Sequence, residues 1–293
     1  MVMKPVVVGM GEVLWDVFPG GRVLGGAPAN FAYHANQMGA TGIIASSVGN
    51  DESGRGILSG LHDMGLDSRF IHIHEKCPTG TVTVSVDSGG KPSYTINEYV
   101  AWDSIPFAMD VAALARTTDA VCVGSLAQRS EISCRTIQRF LDATRLECWR
   151  VFDINLRQKF YARETIEATL SKTRLLKLND EEWPILAEMF GVTTVVPGGL
   201  KKLMRRFGIE IVALTRGAEG SLICSHSLTH AVQAPPVQVV DTVGAGDSFT
   251  AALVMGILRG HPLPLAHEHA SRVAAYVCTQ RGATPKIPTE LVL

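Results

Sequence analysis

Six cysteines (Cys77, Cys122, Cys134, Cys148, Cys224 and Cys278) are scattered along the 293 residues, with no C-x-x-C pair and no regular spacing to histidine. That excludes a disulfide framework and a zinc knuckle, and it reads as buried free thiols in a reducing compartment. Charge of one sign is also lacking: 27 Lys plus Arg stand against 28 Asp plus Glu, so nucleic acid is offered no electrostatic footprint. No stretch approaches the roughly 20 apolar residues of a membrane span. The opening MVMKPVVVGMGEVLW, with one lysine and a short apolar run broken by glycines and Glu12, is neither span nor signal peptide. The expectation is a cytoplasmic protein without membrane or nucleic-acid partners. Two catalytic motifs are missing as well, the G-x-x-x-x-G-K-[ST] phosphate loop and H-E-x-x-H. Gly9-Met10-Gly11 begins like a dinucleotide fingerprint but lacks its third glycine and runs into a β-prone stretch. His267 and His269 are too close to face one way on a helix, and both are expected on the solvent side.

What is present is apolar residue, 46% of the chain, ample for a buried core. Val6–Val8 reads as a buried parallel strand, followed by a β-prone piece at 13–18 and a helix at 28–38 with proline in its first turn. A βαβ rhythm continues through a strand at 42–48, a helix at 52–64 and a strand at 70–74. Between Thr79 and Tyr99 the period becomes two around Gly89-Gly90, which reads as a hairpin with one wet face. Strands are then expected at 120–123, 150–154, 174–178 and 209–214, with helices at 131–146, 164–171 and 200–207. A late hairpin at 221–224 and 229–232 precedes a buried helix at 244–258 and a last helix at 265–278. The expected fold class is α/β: one doubly wound, mostly parallel sheet with helices on both faces, spanning 1–293. A small antiparallel flap would act as a lid, its strands drawn from about 12–25 and 79–102. There is no internal repeat.

The segment Asp241-Thr242-Val243-Gly244-Ala245-Gly246-Asp247-Ser248-Phe249 is the most informative. Small residues opening a buried helix leave backbone N–H groups unpaired at the positive end of its dipole, which together make an anion site. Glycines let a phosphate approach the backbone. An acid at Asp247 would repel such a ligand unless it takes a proton from a hydroxyl attacking that phosphate. The competing reading is packing: Gly244 and Gly246 permit close helix–sheet contact, and Asp247 is a helix-start charge.

D-T-V-G-A-G-D-S-F resembles the C-terminal signature of ribokinase-like, PfkB-type sugar kinases, and Gly25-Gly26-Ala27-Pro28-Ala29-Asn30-Phe31-Ala32 resembles their N-terminal one, more than 200 residues away. Asn179-Asp180-Glu181-Glu182 is similar to the family's N-x-x-E element, Thr215–Gly220 to its T-x-G nucleotide loop, and Arg281-Gly282-Ala283 to its C-terminal ATP-side loop. The resemblance implies ATP and Mg2+ as cofactors. It implies Asp247 as catalytic base, with the N–H groups of Gly244, Ala245, Gly246 and Asp247 steadying the transferring phosphoryl group. On that reading a carboxylate of ordinary pKa, about 4, suffices as late proton acceptor. Asp16, Asn30 and the backbone at Gly26 would hold sugar hydroxyls. Thr215, Gly217 and Gly220 would line the nucleotide, with Asn179 near the phosphates. Glu182 would orient magnesium through water, although a helix N-cap with first-turn acids fits this element equally. Asp241 occupies the position of a monovalent-cation ligand, so K+ is a further candidate. Lys177 would contact nucleotide phosphates or cap a sheet edge. Arg157, in Asp153-Ile154-Asn155-Leu156-Arg157, would reach substrate or phosphate at the carboxyl edge of the sheet, against the alternative of a plain exposed arginine.

Gly11-Glu12-Val13-Leu14-Trp15-Asp16, the short Gly25–Asn30 signature, Ala101-Trp102-Asp103 and Asp153–Arg157 look like bacterial fructokinases. That implies transfer from ATP to the C6 hydroxyl of fructose, with 2-keto-3-deoxygluconate as the alternative acceptor. A non-catalytic sugar- or nucleotide-binding protein is the alternative from another class. Lids of this type often pair between subunits, which makes a homodimer the expected assembly.

Overall fold

The computed structural model describes residues 3–86 and 92–292. The apolar run Val6–Met10 forms β1, buried on both sides as an interior parallel strand requires. Leu14–Phe18 (β2) and Gly21–Gly25 (β3) follow, then helix α1 (Ala27–Gln37) and β4 (Thr41–Gly49). Gly9 has no room for a side chain, since a Cβ there would lie 1.9 Å from the carbonyl oxygen of Pro28. That close approach lets the start of α1 rest directly on β1.

Helix α2 (Glu52–Asp63) begins at Asp51, whose carboxylate accepts from the Gly54 N–H at 2.7 Å as an N-cap. Next come β5 (Ile71–His74), β6 (Thr81–Val86), β7 (Pro92–Ile96), α3 (Met109–Thr117), β8 (Ala120–Val123), α4 (Glu131–Ala143), β9 (Trp149–Asp153), α5 (Arg163–Leu170) and β10 (Leu175–Asn179). The chain ends with α6 (Glu182–Phe190), α7 (Gly198–Phe207), β11 (Ile211–Thr215), β12 (Ser221–Ser225), β13 (Thr229–Val232), α8 (Ala245–Leu258) and α9 (Leu263–Cys278).

The main sheet runs β13-β12-β11-β10-β9-β8-β1-β4-β5. It is parallel from β11 to β5; β12 alone runs against these strands, and β13, antiparallel to β12, runs with them again. Its core has two layers. Ile137 and Phe140 of α4, Ile166 of α5, Leu186 of α6 and Leu203 of α7 pack on one face. Phe31 of α1, Phe249 and Leu253 of α8 and Val273 of α9 pack on the other. The doubly wound α/β expectation is therefore met. Strand order reverses at β1, which pairs with β4 on one side and β8 on the other. Open α/β sheets bind ligands at the carboxyl ends of strands beside such a reversal.

The second sheet has the order β3-β2-β6-β7. It consists of two antiparallel hairpins, but the pair that joins them, β2 with β6, is parallel. The Gly89-Gly90 turn expected in the second hairpin lies outside the described residues.

Three differences from the sequence reading have physical causes. Helix α3 carries buried Val111, Leu114 and Ala115 at helical spacing, a pattern too short to stand out between two loops. Helix α6 starts at the N-x-x-E element, as the helix N-cap alternative for Asn179–Glu182 has it, and its run on to Phe190 is the part not expected. His267 and His269 are buried, at 0% and 1% exposure, which corrects the solvent-side expectation. They do point about 200° apart on α9, but both directions are covered. His267 Nε2 meets Ser221 Oγ of β12 at 2.7 Å, and His269 Nε2 meets the Leu291 carbonyl at 2.7 Å.

Candidate active site

Helix α8 starts at the carboxyl edge of the sheet, and its entry is fixed from three sides. Gly244, the N-cap, has φ 79, the left-handed region that glycine enters without strain. A Cβ there would lie 2.4 Å from the Ala283 carbonyl oxygen, so the 281–283 loop is seated on the helix start. Asp241 ties the same two segments together, accepting from Val243 N–H and Gly282 N–H at 3.0 Å each. His34 of α1 holds the loop from behind through its Nε2 contact with the Ala283 carbonyl at 2.8 Å. Burial brings its pKa down to about 4, so the ring is neutral and Nε2–H donates. No side chain caps α8. The Ala245 N–H turns to the Thr242 carbonyl at 3.3 Å, and the first-turn N–H groups of Gly246 and Asp247 have no intrahelical acceptor.

Beneath this turn lies Lys177. A Cβ on Gly246 would be 2.9 Å from Lys177 Nζ, so glycine brings the helix start into contact with the ammonium group. Lys177 is neither at a sheet edge nor open to solvent: β10 lies between β9 and β11, and the residue is 7% exposed. Nζ donates to Asp153 Oδ1 at 3.0 Å, and Thr250 Oγ1 of α8 donates to Asp153 Oδ2 at 3.1 Å. Burial works against the charge of Lys177, but Asp153, Glu182 and Asp247 outweigh it and hold the ammonium above its usual pKa. A fixed positive charge thus sits under an uncapped helix N-terminus.

Asp247 lies in the first turn of α8, and Asn30 of α1 donates from Nδ2 to its Oδ2 at 2.8 Å. The two signatures, 217 residues apart, meet in this hydrogen bond. Desolvation among packed side chains, and then the negative charge of Asp153, push the Asp247 carboxyl up to about 6. That corrects the expectation of an ordinary carboxylate near 4, because the sequence shows neither the burial of this side chain nor the second acid behind it.

Asp16 projects from β2 of the small sheet and is also raised to about 6, by desolvation against the pull of Arg157. Gly26 is the N-cap of α1 with φ 116. Arg157 acts on Asp16, Asp247 and Glu12, and its loop is strained on both sides: Asn155 has φ 44 and Gln158 φ 49. Non-glycine residues in that region cluster at functional sites.

Glu12 was not singled out from the sequence beyond its place in the Gly11–Asp16 segment. It is 2% exposed, and its Oε2 is buried without a hydrogen-bond partner. Burial, with Asp247 adding to it and Arg157 and Arg129 opposing, raises its pKa to about 7. A single acid after a strand carries no signal of such depth. His34, Asp153 and Thr250 were missed for the same reason, since their roles depend on contacts distant in sequence.

On the nucleotide side, Asn179 and Thr215 are register partners at the ends of β10 and β11. Asn179 Oδ1 accepts from Glu182 N–H at 2.8 Å, and Asn179 N–H donates to Glu182 Oε2 at 2.8 Å. This is a reciprocal helix-start pair. Glu182 Oε1 also takes the Leu156 N–H at 2.9 Å, joining the element to the Arg157 loop. Gly217 and Gly220 have φ 52 and 87, and the loop closes through Arg216 N–H to the Gly220 carbonyl at 2.8 Å. A Cβ at Gly220 would strike the Val232 carbonyl oxygen at 2.0 Å. Among the described residues no three His, Cys, Asp or Glu side chains converge as a metal cage. The donor set suits a magnesium ion that arrives with nucleotide phosphates and keeps several waters.

The chain is similar to known proteins over nearly its whole length. Residues 11–290 match the model described as pfkB family carbohydrate kinase. A fructokinase of Klebsiella pneumoniae is 29% identical, covering 95% of each chain. The structure of an uncharacterised sugar kinase from Pyrococcus horikoshii in complex with ATP superposes with TM-score 0.83 at 26% identity, over 95% of this chain and 94% of that one. A fructokinase from Xylella fastidiosa with bound ATP has TM-score 0.88 at 18% identity, over 98% and 96% of the two chains, which speaks for the fold.

Proposed function

As the chain belongs to the pfkB family of carbohydrate kinases, we propose that it transfers the γ-phosphoryl group of ATP to the C6 hydroxyl of fructose, acting as one kinase domain with the small sheet as its lid. The observation that carries this reading is the meeting of Asp247, Asn30 and Lys177 at the uncapped start of α8. Phosphoryl transfer asks the protein mainly for positioning and charge stabilisation. The N–H groups of Gly246 and Asp247, with Lys177 below them, supply the charge. Gly244 and Ala245 complete the turn, the Ala245 N–H being partly engaged by Thr242.

Asp247 accepts the hydroxyl proton, held toward the acceptor by Asn30. Its raised pKa makes it a better base than an ordinary carboxylate while it stays ionised at neutral pH. Asp16 from the lid and the backbone at Gly26 take other sugar hydroxyls, both being acceptors suited to a polyol. Arg157 faces three acids, so the reacting end of the pocket holds little net positive charge. That favours an uncharged polyol there.

The Thr215–Gly220 loop and Asn179 receive the nucleotide. Magnesium, when bound, would neutralise charge on the β- and γ-phosphates. Glu182, whose two oxygens already hold backbone N–H groups, would act on it through water. Asp241 would serve a potassium ion only in addition to its present role of clasping Gly282.

The test is ADP release from ATP and magnesium over a panel of fructose, ribose, glucose, adenosine and 2-keto-3-deoxygluconate, with and without potassium. Fructose should lead. A clear preference for ribose or adenosine would overturn the acceptor, and no turnover with any of them would leave a binding protein.

A further inference from the structure

Helix α1 carries two polar side chains on one face, Asn30 and His34, one turn apart. Asn30 is accounted for by its bond to Asp247. His34 takes no part in proton transfer or sugar contact, yet it is buried at 0% exposure, and its Nδ1 has no partner among the described residues. An apolar side chain of the same size would fill that space without leaving a polar atom unpaired. What it could not supply is the Nε2–H that reaches the Ala283 carbonyl at 2.8 Å.

A carbonyl oxygen can only accept, so the ring proton sits on Nε2 and Nδ1 is left bare. Burial, which brings the pKa down to about 4, keeps a second proton off the ring. At neutral pH His34 is therefore a hydrogen-bond donor of fixed direction, and neither an acid nor a base.

The other end of this bond is equally confined. Ala283 is 4% exposed, so water has little access to replace the imidazole at its carbonyl. Its backbone packs on Gly244, where a Cβ would lie 2.6 Å from Ala283 Cα. One residue earlier, the Gly282 N–H is held by Asp241. The loop is thus gripped from two sides, by α1 and by the segment leading into α8. The turn that presents the Gly246 and Asp247 N–H groups is seated on that loop.

Helix α1 has other ties to α8. Asn30 fastens its first turns to Asp247, and Arg259, at the end of α8, donates to the Met38 carbonyl at the end of α1. Loss of the His34 bond should free the loop and leave the helix, with its contacts on the sugar side, in place.

We propose that His34 is a positioning residue for phosphoryl transfer, which acts through Ala283 to hold the start of α8 in the shape that receives the γ-phosphate. This rests on the kinase reading above and adds to it a residue that touches neither sugar nor nucleotide. One helix face then sets both ends of the transfer: Asn30 orients the proton acceptor, and His34 holds the anion site.

Two substitutions in the full-length protein test it. His34→Leu keeps the volume and removes the donor, whereas His34→Gln keeps an N–H donor of similar reach. Calorimetric titration compares magnesium ADP with the magnesium complex of the β,γ-imido analogue of ATP, since only the analogue brings a γ-phosphate to α8. His34→Leu should lower affinity for the analogue relative to ADP by about tenfold, the worth of one hydrogen bond. It should lower kcat by a similar factor and leave the KM for fructose unchanged, and His34→Gln should recover most of both losses.

A residue that only packs would lower the melting temperature and leave the ratio of the two affinities untouched. That result, or an unaltered kcat in His34→Leu, with fructose still phosphorylated, would overturn the proposal and leave the kinase reading standing. A ratio that falls with Leu and recovers with Gln, in a protein that turns over no sugar, would sink the kinase reading alone.

Discussion

Asp247 works at a pKa set by its neighbours. With the carboxyl raised to about 6 by desolvation and Asp153, kcat/KM for the acceptor should fall as pH drops through about 6, because the base must be ionised. Asp247→Asn should lower kcat by about 10²–10⁴-fold, with ATP and sugar affinities kept within a few-fold. Turnover near that of the unaltered protein would remove Asp247 from proton transfer. Glu12 gives a prediction of a different kind. An acid whose folded pKa is raised stabilises the fold fully below its unfolded pKa, and that contribution is lost as pH rises through the folded value. Glu12, moved from 4.5 to about 7, should therefore weaken the protein between about pH 4.5 and 7. Glu12→Gln should raise stability at pH 8 by roughly 1–3 kcal/mol and leave it nearly unchanged at pH 4. Equal melting shifts at both pH values would show that burial of Glu12 is not penalising its charge.

Helix α8 concentrates the consequences of element placement. Gly244→Ala should destabilise by about 1–3 kcal/mol, since the new Cβ meets both a positive φ and the Ala283 backbone. Chemical denaturation measures it, and a shift under 0.5 kcal/mol would mean that the 281–283 loop gives way. Gly246→Ala should instead act on catalysis, because its Cβ displaces only Lys177 Nζ from under the anion site. A fall in kcat with an unchanged melting temperature is the expected result. The extent of α8 was legible because its apolar residues leave no wet face, and the family because five short motifs occur in order. The contacts that tune it were not. Nothing in the spacing of Lys177, Asp153 and Thr250 says that three elements converge. The raised pKa of Asp247 comes from burial first and from Asp153 second, neither of which the spacing shows. The parallel β2–β6 pair was equally hidden, since alternation marks strands but does not name their partners.

At the scale of the whole molecule, the small sheet leaves β3 and β7 at its edges, with Phe18 and Val23 exposed at 41% and 47%. We expect two copies to meet through these lid sheets. Sedimentation should report a dimer that Val23→Asp shifts toward monomer; a monomer throughout, with full activity, would end that reading. The lid has a further consequence because its β2 and β6 come from two distant stretches joined in one sheet. Acting as the proposed lid, it would move as a plate with two anchorages, with Asp16 on that plate and Asp247 on the body. A sugar that touches both carboxylates is then the latch. Until it binds, the sheet is held to the body by contacts such as those of Trp15 and Arg22 with Ser53 of α2, and on the proposed function ATP would be spared until an acceptor arrives.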